Sequence, residues 1–130
     1  MINNSSKHIA LKTLIKHKYY SLNNYNDIQR IIEYNHFTII EYNKHTNSKP
    51  VRELIKRLGI ESEIEKNDSF LYIKNSLKFV FINADIPDDD KCSLLRHELG
   101  HICDPDLKNT NWQYSRIKSE EFANEFSFYT

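Results

Sequence analysis

Residues 97–101 of this 130-residue chain read His-Glu-Leu-Gly-His. The spacing dictates local structure. On an α-helix, residues i and i+4 lie one above the other, so a helix brings both imidazoles to one cation. The Glu beside the first His is then placed to polarise a metal-held water and move its proton. Six His and ten Glu scattered at random over this length would write such a pentapeptide about two times in a hundred. A surface helix with two solvated histidines is therefore the competing reading, and helical geometry separates the two. With His97 at zero and about 100° per residue, His101 falls near ~40° and Glu98 near ~100°. Cys92, Leu95, Leu99, Ile102 and Cys103 fall between ~140° and ~240°. The apolar stripe thus lies opposite the histidines, as expected of a helix that buries one side and turns the other to a cleft. Gly100 lowers helix propensity by about 1 kcal/mol relative to Ala, which hints at crowding around it.

Two histidines do not hold a catalytic zinc, which ordinarily takes three protein ligands and keeps a fourth position for water. Downstream carboxylates are the natural candidates, and Ser119 to Phe126 carries three: Glu120, Glu121 and Glu125. Phe122 and Phe126, at i and i+4, mark an apolar side. Glu120 and Asn124 share another face one turn apart, so Glu120 is placed to bind metal while Asn124 hydrogen-bonds a ligand from behind. Glu121 and Glu125 point elsewhere and read as solvated charges. Spacing alone describes an ordinary acidic amphipathic helix equally well.

These two segments together resemble the ImmA/IrrE metallopeptidase-like family of gluzincins, whose signature is an HELGH helix followed by a helix reading roughly ExxA(N/D)xFA. Glu120-Glu121-Phe122-Ala123-Asn124-Glu125-Phe126 is similar to the second element, with Ser127 in place of the usual Ala. The resemblance implies His97, His101 and Glu120 as zinc ligands, Glu98 as general base and Asn124 as a residue supporting a ligand. It implies a zinc-dependent endopeptidase whose protein substrate is a helix-turn-helix repressor of a mobile element, an anti-repressor role. The alternative is a non-catalytic module of the same fold, metal-stabilised, that regulates a repressor without cleaving it. Family members generally continue into further helices, so the chain reads as a single domain over 1–130, minimal or truncated at its C-terminus. No group for stabilising an oxyanion is identifiable; Tyr114, Arg116 and Tyr129 are unassigned candidates.

Composition is compatible with this. Eighteen basic and eighteen acidic residues give zero formal net charge, which disfavours direct nucleic-acid binding. Lys7, Lys12, Lys16 and Lys18, interleaved with Ile9, Leu11, Leu14 and Ile15, read as the wet face of an amphipathic helix. No export signal follows Met1 and no apolar run approaches the roughly 18 residues of a membrane span, so a cytoplasmic protein without membrane contact is expected. Cys92 and Cys103 would lie about 16 Å apart on a continuous helix, too far to bridge. They are expected as buried free thiols, in keeping with a reducing compartment. His8, His17, His36 and His45 lack partners at ligand spacing and read as structural or surface residues.

The remaining pattern predicts an α+β domain: N-terminal helices, a small twisted sheet, then two zinc-binding helices, a zincin-like arrangement. A first helix is expected over 6–20 and a second, capped by Asn24 or Asn26, carrying Ile28, Ile31 and Ile32. His36 to Tyr42 is β-branched and aromatic, hence a strand. Pro50 opens a helix over Val51 to Leu58 that Gly59 ends. Ser69–Lys74 and Leu77–Ile82 pair as a hairpin about Asn75-Ser76. The second of these strands is too apolar for one exposed face, yet it leads straight into the HELGH helix. It is accordingly expected to form the sheet edge that takes up an extended substrate. Asp88 to Asp90 are expected to cap the HELGH helix and complement its dipole.

Overall fold

The computed structural model describes residues 5–105 and 116–130, leaving aside the side chains of 116–119. It is a mixed α+β fold. In chain order the described elements are α1 (Ser6–His17), α2 (Tyr25–Tyr34), β1 (Thr38–Tyr42), α3 (Lys49–Leu58), α4 (Glu61–Lys66), β2 (Ser69–Lys74), β3 (Leu77–Asn83), α5 (Asp88–Cys103) and α6 (Arg116–Tyr129).

Local chemistry explains most boundaries. The Ser5 hydroxyl accepts from the His8 amide at the head of α1, and the helix closes at Lys18 in the left-handed region, earlier than residue 20. Asn24 caps α2 by accepting from the amides of Asn26 and Asp27. Pro50 sits in the first turn of α3, where its missing N–H is no loss, and Gly59 at φ 67° terminates it. No sequence signal announces the short α4. Its single turn and a half is held by tertiary packing of the buried Ile64, which leaves little periodicity to read. Asn75, at φ 56°, turns the hairpin. Asp88, Asp89 and Asp90 occupy the first turn of α5, where they complement its dipole, but Pro87 holds the N-cap position without a side-chain bond.

The sheet has the order β1-β3-β2, with β1 parallel and β2 antiparallel to β3. This corrects the expectation that Leu77 to Asn83 is an edge. β3 is the central strand, bonded on both sides, and the edges are β1 and β2. The physical reason is its side-chain pattern. Val80 and Ile82 enter one core with Leu14, Leu22, Ile28, Ile31, Ile32, Leu95, Leu99 and Phe126, that is, with α1, α2, α5 and α6. Phe81 enters another with Tyr42, Ile55, Ile60, Ile64, Phe70 and Tyr72, under α3 and α4, and Phe79 packs against it. A strand apolar on both faces needs cover on both, and helical layers above and below the sheet supply it. Phe70 and Phe81 stack across the hairpin with centroids 4.9 Å apart. No helix among the described residues is long and apolar enough to cross a membrane. Cys92 and Cys103 are both free thiols.

Truncating the central strand should be far more damaging than truncating its exposed beginning. Phe81→Ala is expected to lower unfolding free energy by about 3–5 kcal/mol, and Leu77→Ala, at a position 41% exposed, by about 0.5 kcal/mol or less. Denaturant titration of both variants checks this, and equal losses would contradict the two-sided burial of β3.

Candidate metal centre

Leu95 and Leu99, both fully buried, seat α5 against the core, which leaves His97 and His101 on its opposite side. The next helix then has to come close. An ideal Cβ built on Gly100 would lie 2.7 Å from Ala123 Cα, 3.1 Å from Ala123 O and 3.1 Å from Phe126 Cβ. α5 and α6 therefore cross in backbone contact, possible because the facing residues are glycine and alanine. Ala123 and Phe126 are fully buried at this crossing. The crowding implied by Gly100 is real, and its source is the neighbouring helix.

The crossing carries Glu120, one turn before Ala123, to the histidine pair. Its carboxylate straddles them: Oε2 lies 3.0 Å from His97 Nε2 and Oε1 3.0 Å from His101 Nε2. The two Nε2 atoms are 3.2 Å apart. Zinc–ligand bonds of about 2.0–2.2 Å put tetrahedral ligand atoms about 3.3–3.6 Å apart. The two nitrogens, and each nitrogen with the carboxylate oxygen facing it, stand within a few tenths of an ångström of that spacing, one ligand atom of each residue lies within 4.8 Å of the others, and two imidazoles with one carboxylate match a set found in catalytic zinc sites. They fit. Exposure is graded across the centre, the side chains being 11% accessible at His101, 20% at His97 and 52% at Glu120, so the cluster opens outward on the α6 side. Burial, and after it the neighbouring His97, lower the pKa of His101 against the opposing pull of Glu120. This favours the neutral imidazole that a metal requires.

Glu98 is 5% exposed, and a carboxylate so placed needs a reason to be there. Ser69 supplies one, its hydroxyl donating to Glu98 Oε2 at 2.6 Å. Burial pushes the Glu98 carboxyl up to about 7, the Ser69 bond pulls it down, and Glu120 adds to the rise. Nothing in the sequence singles out Ser69. It lies in another element, and only folding brings the start of β2 to α5. That start is firmly fastened. The Tyr42 hydroxyl donates to the carbonyl of Asn67. Asn83, at the end of β3, donates through its amide side chain to Asp68 at 3.1 Å and through its backbone N–H to the Asp68 carbonyl at 2.8 Å. Lys44 pairs with the same Asp68 carboxylate at 3.3 Å. The hydrogen bond from Asn83 and then Lys44 hold Asp68 below the usual carboxylate range.

The structure thus brings together four of the sequence candidates: His97, His101, Glu120 and Glu98. Asn124 is exposed one turn beyond Glu120, and among the described residues no hydrogen bond joins it to the three donors. Glu125, read as a solvated charge, is exposed yet bonded, accepting from Ser6 Oγ at 2.5 Å. Of the oxyanion candidates, Tyr129 packs against the main core with Lys7 over its ring. Tyr114 and the side chain of Arg116 lie outside the described residues. No protein-family model matches the sequence, and no curated protein and no solved structure matches it either.

Gly100→Ala tests the crossing. At an open helical site this change adds about 1 kcal/mol of stability. Here the new methyl meets backbone, and a net loss of about 1–3 kcal/mol is expected from denaturant midpoints. A variant as stable as the parent would contradict backbone contact between α5 and α6.

Proposed function

We propose that the protein is a zinc-dependent endopeptidase, zincin-like in fold and of the ImmA/IrrE type, with His97, His101 and Glu120 as the metal ligands. The observation that carries this reading is the convergence of those three donors beside a buried, hydrogen-bonded Glu98. Any one of these features is common. Their assembly from two helices and a strand end is what a hydrolytic site requires and what a solvated histidine helix does not.

When bound, zinc supplies Lewis acidity, which acidifies water and polarises a peptide carbonyl. Glu98 accepts the proton that the attacking water loses and delivers it to the departing amine. Ser69 holds Oε2 of that carboxylate and so fixes its rotamer, leaving Oε1 to take the proton. Burial of Glu98 strengthens these interactions by excluding bulk water from them. The peptide enters as an added strand. With β3 interior, the edge that serves is β2, whose first residue, Ser69, touches Glu98. An extended chain bonded along β2 runs past the general base toward the metal ligands. The substrate is an intracellular protein, a helix-turn-helix repressor, and this assignment rests on the motif resemblance. Specificity of that kind needs contacts beyond the scissile bond.

Glu98→Gln is the test. The amide is close to isosteric and can still take a hydrogen bond from Ser69, so metal content and stability are expected to be retained while turnover falls by about 10²–10⁴-fold. The assay follows the integrity of helix-turn-helix regulators encoded beside the gene, co-expressed with parent or variant. Unchanged cleavage in Glu98→Gln would contradict the assigned base. Regulators that copurify with the parent yet remain intact would replace the peptidase by a binding module.

A further inference from the structure

A cleft of about 270 Å³ lies beside the candidate metal centre, lined by Asp68, Ile86, Asp90, Ser93 and Leu94. Two connections fix its place. Along α5, with His97 at zero and about 100° per residue, Asp90 falls near ~20°, Ser93 near ~−40° and Leu94 near ~60°. These three share the face that carries His97 and His101, displaced toward the N-terminus of α5 by about 5–10 Å. From the sheet, Asp68 immediately precedes Ser69, whose hydroxyl bonds Glu98. α6 crosses α5 at Gly100, so the cleft and the crossing lie on opposite sides of His97 along the helix. The cleft thus extends the site beyond Glu98, away from Glu120.

Its walls are of two kinds. Ile86 and Leu94 are half-buried and apolar, while Asp68 and Asp90 are exposed carboxylates. Asp68 is already engaged, accepting from Asn83 at 3.1 Å and pairing with Lys44 at 3.3 Å. Asp90 has no cation paired with it among the described residues. Its neighbour Lys91 is turned to Glu41 and Asp88, at 3.6 Å and 3.8 Å. From Asn83 to Asp90 the chain carries four Asp and no basic residue. An apolar wall beside a carboxylate that lacks a counter-charge suits a side chain with an aliphatic stem and a cationic head. A wholly apolar side chain would cover Ile86 and Leu94 but take water from the carboxylates without replacing it. A divalent cation fits worse, since hard cations such as calcium take about six to eight oxygens. Among the described residues, the one cluster of three or more potential metal ligands is His97, His101 and Glu120.

We propose that this cleft receives a lysine or arginine side chain of the protein substrate, on the amine side of the scissile bond. The aliphatic stem lies on Ile86 and Leu94 and the cationic head at Asp90. The side of the bond follows from the proton transfer. Glu98 delivers its proton to the departing amine, so that amine lies at Glu98 and the chain beyond it continues toward the cleft. An extended chain advances about 3.3 Å per residue, which places the first or second residue past the bond at Ser93 and Leu94. This register rests on the peptidase reading, whereas the preference of the cleft for a cation does not.

The experiment has two arms. In the first, zinc-loaded protein digests a library of random-sequence peptides, and mass spectrometry reads the cut sites. Lys and Arg are expected to be enriched about tenfold at the first or second position after the cut. Asp90→Lys should abolish that enrichment and favour Asp and Glu instead. Asp89→Lys, in the same helical turn but outside the cleft, should retain it. In the second arm, amide NMR shifts are followed during titration with acetyl-arginine amide, or with uncharged acetyl-norleucine amide, up to about 10 mM. The arginine probe should shift the Ser93 and Leu94 amides saturably, and bind at least about tenfold more weakly to Asp90→Lys. Cleavage without a basic preference, or a preference that survives Asp90→Lys, overturns the proposal and leaves the peptidase reading intact. Saturable arginine binding without any cleavage supports the cationic cleft and overturns the peptidase reading, together with the register taken from it. Neither cleavage nor binding overturns both. Circular dichroism of each variant establishes that a lost preference is not a lost fold.

Discussion

The approach of Gly100 to Ala123 is the contact on which the candidate site depends. A methyl group at residue 100 would sit 2.7 Å from the Ala123 Cα, so only glycine admits α6 at this distance. One turn from that crossing, Glu120 comes within 3.0 Å of both imidazoles. Moving α6 outward by the thickness of a methyl would remove the carboxylate from bonding range. The helix-propensity loss at Gly100, about 1 kcal/mol, is offset by the packing of Leu99, Ala123 and Phe126, all fully buried. Core formation and assembly of the site are thus one event. Ala123, whose backbone makes this contact, is itself fully buried.

The second support comes from the sheet. β3 is covered on both faces, and its last residue, Asn83, ties back to Asp68. That tie, with Tyr42 on Asn67 and Lys44 on Asp68, holds Ser69 where its hydroxyl reaches Glu98. A buried carboxylate without such a donor would be costly to keep charged. The three clustered donors come from two helices and the hydrogen bond to Glu98 from a strand, so no single element contains the candidate site.

Much of this was legible in the sequence because the signals were local. The i, i+4 histidines, Pro50 and Gly59 around α3, Asn24 before α2 and Asn75 in the hairpin each act over a turn or less. Glu120 was reachable through its motif even though it lies 19 residues from His101. What escaped depends on long-range pairing. The direct lead of β3 into α5 suggests an edge, whereas its run from Leu77 to Ile82 is apolar on both faces, the mark of an interior strand. Its parallel partner β1 is separated from it by two helices and β2, and nothing local announces that pairing. Ser69 shows no motif of its own. Leu11 and Ile15 fit the periodicity of a helix, and only the packed structure shows that α1 turns Ala10 and Leu14 inward and those two outward.

The central claim is that one helix crossing builds a three-ligand zinc centre from His97, His101 and Glu120. X-ray absorption at the zinc edge, on protein loaded with one equivalent of zinc, reads the coordination sphere directly. The account predicts two imidazole nitrogens at about 2.0–2.1 Å and low-Z oxygen ligands at about 2.0–2.2 Å, with no sulfur. In a Glu120→Ala sample the two nitrogens should persist while the oxygen shell changes. A sulfur shell from Cys92 or Cys103, or a spectrum without imidazole scattering, would contradict it.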